Sequence, residues 1–186
     1  MSTEIDGGGR PAGAGLARSN LDRVSDPLCP SSELALLAGG GAVTDRMIAI
    51  HKNAEPVLLQ KLANGRDALT KQGVAGNPNT PLTTLFSLVD EFPREFILNP
   101  AFNLMLLENP GILETRATGT LVRILEQPEC PVSILHWAAV QWSTDGRLSR
   151  DVMQGIARNP ATPPETLEYM LGLNQTKDMD GSEGWL

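Results

Sequence analysis

Two stretches of the chain share one arrangement of asparagine, threonine and proline, and this arrangement constrains the fold more than any other feature. They are VAGNPNTPLTTLFSLV, residues 74–89, and IARNPATPPETLEYML, residues 156–171. Both contain Ala-x-Asn-Pro-x-Thr-Pro, with a leucine four residues after the second proline. Two such copies in a chain of 186 residues predict an architecture of repeated units.

Weaker copies of the same pattern extend the repeat along the chain. They predict about six units, with a period in the twenties that lengthens toward the C-terminal end, as in a helical solenoid with loop insertions. The position of the first proline is taken by Pro27, Asn53, Pro78, Pro100, Pro128 and Pro160.

Each unit is expected to contain two short helices separated by the prolines. Proline disfavours helical geometry at the preceding residue, so the first helix ends there, and asparagine suits that end because its side chain bonds nearby backbone. The residues between the prolines leave room for a 3₁₀-like turn. Thr80 and Thr162 are predicted to cap the second helix, and Thr162 with Glu165 matches a capping box.

The second helices carry apolar residues at helical spacing, so each is expected to bury a stripe against its neighbours. A helix of about ten residues does not hold in isolation, which makes stacking of the units a requirement of the pattern. The predicted stripes are Leu82, Leu85, Phe86 and Val89; Val57, Leu58 and Leu62; Leu104 and Leu107; Ile134, Leu135 and Ala138; and Leu167, Met170 and Leu171.

The ends of the chain lose this period. Residues 1–19 are rich in glycine and alanine and are predicted to be a flexible leader. Residues 20–173 are predicted to be the helical repeat domain. Residues 174–186 carry Asp178, Asp180 and Glu183 against Lys177 and are predicted to be an acidic flexible tail.

With these motifs in place, the chain resembles the leucine-rich repeat variant family, whose repeat reads V-A-x-N-P-x-T-P-x-x-x-L-x-x-L-A. The resemblance rests on residues 74–89 and 156–171 and covers roughly residues 20–172. It implies an all-α, right-handed α-solenoid of alternating short α- and 3₁₀-helices without β-sheet. It also implies a repeat with no catalytic residues, and the N-terminal cysteine cluster that holds an iron–sulfur centre in the family is missing from this sequence.

Composition narrows the functional classes. The net charge of −7 and pI of about 4.8 favour basic partners and argue against general DNA binding. No apolar run approaches the length of a membrane span, and no secretion signal begins the sequence, so a cytoplasmic protein is expected. Cys29 and Cys130 lie far apart and are expected to be small buried thiols without a disulfide.

Enzymatic and metal chemistry lack the residues that they need. The two histidines, His51 and His136, stand alone, and no nucleophile motif is present. The sequence therefore predicts no catalytic, cofactor-binding or metal-binding residues. Asn77, Asn99, Asn109 and Asn159 suggest a ladder that could bind a ligand, but capping of the helices explains their positions.

The best candidate for a binding surface is basic. One positive residue precedes the proline step in most units, which predicts a stripe that contacts phosphate or an acidic protein surface. The alternative is a solvated helix face with local ion pairs. The candidate residues are Arg46, Lys71, Arg94, Arg123 and Arg150.

The sequence thus predicts a non-enzymatic interaction module or scaffold that binds a protein or peptide partner through one face of the solenoid. One alternative is a nucleic-acid-binding protein that uses the basic stripe. Another is an accessory or inhibitor protein of a neighbouring enzyme. The identity of the partner, the face that binds it, the pathway and the oligomeric state stay open.

Overall fold

The computed structural model describes residues 19–114, 116–144 and 150–180, and this part of the chain is all-helical. It contains twelve α-helices, one 3₁₀ helix and no strand. The 3₁₀ helix spans Pro110–Leu113. The α-helices are α1 Asn20–Val24, α2 Ser31–Leu37, α3 Ala42–Ala49, α4 Pro56–Ala63, α5 Ala68–Gly76, α6 Leu82–Leu88, α7 Pro93–Leu98, α8 Pro100–Glu108, α9 Thr118–Leu125, α10 Val132–Thr144, α11 Arg150–Arg158 and α12 Pro164–Asp180.

One backbone turn recurs six times and divides the described residues into six helix pairs. Each turn links the first helix of a pair to the second, and in it the N–H of one residue donates to the carbonyl three positions earlier, at 2.8–3.1 Å. We call the residue with the accepting carbonyl in this linking turn the step residue. The step residues are Asp26, His51, Asn77, Asn99, Gln127 and Asn159.

This shared turn corrects the sequence alignment in the second unit. The pattern had placed Asn53 at the position of the first proline, but the turn there runs from the N–H of Ala54 to the carbonyl of His51. Lys52 therefore occupies the proline position, and His51 stands where Asn77 stands in the next unit. The unit lacks the proline that marks this position elsewhere, so the sequence offered no anchor for the alignment.

The units contact one another mainly through their first helices. Helices α1, α3, α5, α7, α9 and α11 touch in chain order, each contacting the next member of the row. The second helices touch directly at α4 with α6 and at α10 with α12. Because both helices of each pair are α-helices and 3₁₀ geometry is confined to Pro110–Leu113 in the described ranges, the alternation implied by the resemblance is not observed.

Aliphatic residues with a small aromatic cluster form the core. Phe96 and Phe102 are fully buried, and the Phe96 ring centroid lies 5.2 Å from Phe86 and 4.7 Å from Phe102. Helix α6 joins the two halves of the core, since Leu88 packs with the N-terminal units and Leu85 with the C-terminal ones. The apolar surface of each helix pair is thus shared with its neighbours, as stacking requires.

The threonines of the proline step bond the first helix of their unit, whereas the sequence predicted that they cap the second. Thr80 donates its hydroxyl to the Val74 carbonyl at 2.6 Å, and Thr162 donates in the same way to Ile156 at 2.6 Å. Both bonds satisfy carbonyls at the end of the first helix. The N-cap of α6 is Pro81, whose side chain makes no capping bond, so the predicted role of Thr80 as an N-cap is wrong. The turn points these hydroxyls back toward the helix that has just ended.

The C-terminal helix is longer than the sequence predicted. Helix α12 continues to Asp180, through residues 174–180 that were assigned to the flexible tail. Between Gly172 and Asp180 the sequence contains no proline or glycine to end the helix, which explains the extension. Residues 181–186 of the predicted tail and residues 1–18 of the predicted leader lie outside the described part. Ser19 is described, and its hydroxyl caps α1 with Asp22 as a capping box.

Candidate functional site

Asn99 shows how the repeated asparagines are used. It is fully buried, and its side-chain amide donates to the carbonyl of Ala75 at 2.7 Å and to that of Asn77 at 2.9 Å, both in the preceding unit. Its Oδ1 accepts the N–H of Ala101 at 2.9 Å. One side chain therefore ends its own helix and joins two units, because both amide hydrogens cross the junction.

The same three bonds recur at the other buried asparagines. Asn77 donates to the carbonyls of Ala49 and His51, at 2.8 and 3.1 Å, and accepts the N–H of Asn79. Asn159 donates to the carbonyls of Leu125 and Gln127, at 2.6 and 2.7 Å, and accepts the N–H of Ala161. We call these bonds the amide ladder. Both of its donors are used within the protein, so it cannot also serve as a ligand surface.

Asn109, which the sequence grouped with these asparagines, does not belong to the ladder. It is exposed at the end of α8, and its carbonyl accepts the N–H of Ile112 at 3.1 Å, but this turn does not link the two helices of a pair. The sequence placed it in the group because a proline follows it, but that proline begins the 3₁₀ helix instead of a repeat turn.

His51 fills the asparagine position in the second unit. Its Nε2 lies 3.0 Å from the carbonyl of Asp26 in the preceding unit, and its Nδ1 accepts the N–H of Asn53 at 3.1 Å. Because Nδ1 accepts, Nε2 carries the proton and donates across the junction. His51 thus joins the first and second units. The other histidine, His136, contacts the Thr166 hydroxyl through Nδ1 at 3.1 Å.

A second row of amides supports the N-terminal junctions. Asn79 donates to the carbonyls of Lys52 and Ala54, at 2.8 and 3.1 Å. Asn53 donates in the same way to Cys29 at 3.0 Å and to Pro27 at 3.4 Å. Both lie two residues after the step residue, so two side chains cross each of these junctions.

The ladder is interrupted between the fourth and fifth units. The step residue there is Gln127, whose amide turns back to the carbonyl of Arg123 in its own helix at 3.0 Å. Glu129 stands two residues later, where Asn53 and Asn79 donate in other units, and a carboxylate has no hydrogen to donate. Its Oε2 is buried without a hydrogen-bond partner among the described residues. The 3₁₀ helix, Pro110–Leu113, enters the chain just before this junction.

The predicted basic residues lie on the first helices, and four of them form ion pairs. Arg46 bonds Asp67 through two nitrogens, at 2.9 and 2.6 Å. Together with the Thr70 hydroxyl, this guanidinium holds the pKa of Asp67 well below its usual range. The remaining pairs are Lys71 with Glu91 at 3.0 Å, Arg94 with Glu129 at 2.6 Å and Arg123 with Asp90 at 4.0 Å.

Some side chains of these ion pairs are only partly exposed, and one of the pairs shifts the pKa of a second carboxyl group. The hydrogen bond from Arg94 lowers the pKa of Glu129. Arg150 is the first residue of α11 and is exposed, and it forms no ion pair with another residue that the structure describes.

The predicted stripe does not follow one register. Arg46 and Arg94 lie five residues before their step residues, whereas Lys71 lies six, Arg123 four and Arg150 nine residues before theirs. Each residue of an α-helix advances by about 100°, so unequal offsets point the side chains in different directions. The structure gathers these cations on helices that touch in order, but it does not align them in a single row.

Charge is divided between the two helices of the units. Where side chains are described, Lys61 is the one cation of the second helices, against the acids Glu33, Glu108, Glu165 and Glu168. The first helices carry mostly cations, namely Arg23, Arg46, Lys71, Arg94, Arg123, Arg150 and Arg158, against Asp22, Asp45, Glu95 and Asp151. The second helices are therefore the acidic side of the units.

Several large apolar residues of the second helices are exposed, which corrects the predicted stripes. Leu36 and Leu107 expose 83% and 81% of their surfaces. Of the residues assigned to buried stripes, Val57, Leu82, Leu104, Leu107 and Leu171 are exposed. In α8 the signal was visible in the sequence, because residues 104–107 are four consecutive apolar residues and one helix cannot bury them all on one side.

Two surface hollows contain apolar residues. One lies between α3 and α5 beside Arg46 and has a volume of about 430 Å³. The helices approach closely at Gly73, where an added Cβ would lie 3.0 Å from Ala49 Cβ. The other lies between α8 and α10, with a volume of about 410 Å³. Large apolar side chains line most of the second hollow, which the sequence analysis did not identify: Leu106, Leu107, Leu113, Ile134 and Trp137.

The thiols do not form a reactive site. Cys29 and Cys130 are free and buried, as the sequence predicted. Burial raises the pKa of both thiols, that of Cys130 to about 12. Both therefore stay protonated near neutral pH, and the protonated form is a weak nucleophile.

Within the described ranges, no group of three or more histidine, cysteine, aspartate or glutamate side chains is placed to hold a metal ion. None of the helices in the described part is long and apolar enough to cross a membrane.

Comparison with known proteins finds no match among protein-family models, curated proteins or solved structures. The resemblance to the leucine-rich repeat variant family therefore stays a prediction that rests on the two quoted copies of the repeat.

Proposed function

We propose that this chain is a non-enzymatic protein-interaction module, a right-handed α-solenoid of the leucine-rich repeat variant type that holds a protein or peptide partner on the face of its second helices. The single observation that carries the proposal is the set of large apolar side chains exposed on these helices, with Leu36, Val57 and Leu107 the most exposed. In the described part of the chain, the first helices also expose large apolar residues, but none of them by more than 55%: Leu21, Val43, Leu69 and Leu98. Isolated exposed leucines are ordinary, whereas the larger set on the second helices, with the most exposed members, is typical of an interaction surface.

The energetic case follows from the exposed area. Covering a fully exposed leucine contributes about 2 kcal/mol, so a few such residues supply a useful part of the affinity of a peptide complex. The same helices are acidic, which favours a partner with lysine or arginine beside its apolar residues. An accessory or inhibitor protein of a basic neighbour is one form of this function.

Nucleic-acid binding through the basic stripe is the second candidate, and the ion pairs weigh against it. Arg46, Lys71 and Arg94 are each within 3.0 Å of a carboxylate oxygen, so a phosphate must compete with an acid that is already in place. The net charge of −7 adds a general repulsion. The proposed location is the cytoplasm, which the two unpaired cysteines support because reducing compartments keep thiols free.

Capture of partners from the native cell, read by mass spectrometry, tests the proposal. One variant combines Leu36→Lys, Val57→Lys and Leu107→Lys. The matched control combines Arg94→Glu and Arg123→Glu on the first helices, and circular dichroism verifies the helix content of both. The lysine variant is expected to lose the partners that the wild type captures, while the control keeps them.

The opposite result, in which partners survive the lysine variant and disappear with the arginine variant, would move the binding surface to the basic stripe. In that case a steep decrease of nucleic-acid retention with salt would support the second candidate.

A further inference from the structure

The hollow between α8 and α10 is bordered by the 3₁₀ helix, Pro110–Leu113, which packs on α8. Leu113 of that helix is buried and forms one wall, and Trp137 of α10 forms another. The 3₁₀ helix and the two α-helices thus form an apolar groove between two neighbouring units.

The same junction is the one where the amide ladder is interrupted. Gln127 and Glu129 donate no side-chain bond to the fourth unit, in contrast to the asparagines at the junctions on either side. The Arg94–Glu129 ion pair, at 2.6 Å, crosses this junction instead. The groove therefore lies at a junction that the amide ladder does not bridge.

Two exposed carboxylates directly follow lining residues of the groove in the sequence. Glu108 directly follows the lining residue Leu107, and Glu114 directly follows Leu113. Both are exposed, and neither forms an ion pair with another described residue. The nearby cation Arg116 lies over the Phe86 ring, 3.9 Å from its centroid. The carboxylates that face the first-helix cations are, by contrast, already paired.

We infer that the α8/α10 groove binds a short segment of a partner protein that inserts one large apolar side chain beside Leu107 and Trp137 and places a lysine or arginine against Glu108 and Glu114. This inference rests on the proposed function and assigns its binding position. Charge decides the occupant: an apolar segment with acidic flanks would meet two unpaired carboxylates, whereas a basic segment neutralises them. Asn103 and Ser133 at the groove supply polar groups for the backbone of the segment.

The test is selection of peptides from a phage-displayed library of random 12-residue sequences against the full chain. The peptides that enrich are expected to combine a large apolar residue with a net positive charge. Affinity is then measured by fluorescence polarisation with one enriched peptide, on the wild type and on single variants. Leu107→Lys is expected to weaken binding at least about tenfold, because it removes a lining side chain, and Glu108→Lys also weakens it, because it reverses a charge next to the groove.

The matched control is Leu98→Lys, which makes the same change at an exposed leucine of α7, a first helix outside the proposed face, and is expected to bind like the wild type. Enriched peptides that are acidic, or that bind Leu107→Lys as tightly as the wild type, would overturn the inference. If Leu36→Lys rather than Leu107→Lys abolishes binding, the groove is wrong but the second-helix face stands. If no peptide enriches and sedimentation shows a dimer that Leu107→Lys dissociates, the occupant is a second copy of the chain, and the inference is overturned.

Discussion

Replacing Asn99 by alanine is expected to lower the free energy of unfolding by about 2–4 kcal/mol. The substitution removes the two bonds to the carbonyls of Ala75 and Asn77 and the bond from the N–H of Ala101. All of these groups sit at a fully buried side chain, so water does not replace the lost bonds without opening the junction. Urea denaturation followed by circular dichroism measures the change.

The matched control is Asn109→Ala, which removes an exposed asparagine that also precedes a proline. It is expected to change the free energy of unfolding by less than about 0.5 kcal/mol, because surface substitutions away from such bonds have small effects. Equal losses for the two variants would contradict the assignment of Asn99 to the amide ladder.

Replacing Phe96 by alanine is expected to lower the free energy of unfolding by about 3–5 kcal/mol. The ring is fully buried and contacts two other aromatic rings, at centroid distances of 5.2 and 4.7 Å, so its removal leaves a cavity between α6, α7 and α8. The loss combines the transfer of the ring to water with the cost of the cavity. Thermal and urea unfolding both report it.

Leu98→Ala is the control on the same helix, because Leu98 ends α7 and is exposed. Its effect is expected to stay within about 0.5 kcal/mol of the wild type. A small effect of Phe96→Ala, similar to that of Leu98→Ala, would show that the aromatic cluster does not hold the central units together.

The helix pairs were predictable from the sequence because their signals are local. Pro78 and Pro160 end one helix and allow the next to begin within a few residues, and the two copies of the repeat fix the order of these events. The second unit was misaligned because Lys52 replaces the proline, and the equivalence of His51 and Asn77 becomes visible only through the shared turn.

The joints between the units were not predictable, because they connect residues that lie far apart in sequence. The amide of Asn159 reaches carbonyls more than thirty positions earlier, at Leu125 and Gln127. A sequence shows that an asparagine precedes a proline, and capping within its own unit explains that position. Only the packing of one unit on the next shows that both amide hydrogens cross the junction.

The candidate groove escaped the sequence analysis for a similar reason. Apolar spacing indicated that Leu104 and Leu107 belong to a helix, but not whether a neighbouring helix covers them. Leu107 is exposed even though it stands at helical spacing with Leu104. The ion pairs of the basic residues were not predictable either, because Arg94 of the fourth unit pairs with Glu129 of the fifth.

Hydrogen exchange of the asparagine side-chain amides, followed by NMR, tests most directly whether the repeated asparagines join the units. The amides of Asn77, Asn99 and Asn159 are expected to exchange at least about 100-fold more slowly than those of Asn103 and Asn109, because exchange at a joint requires the junction to open. Similar exchange rates for all five amides would contradict the amide ladder.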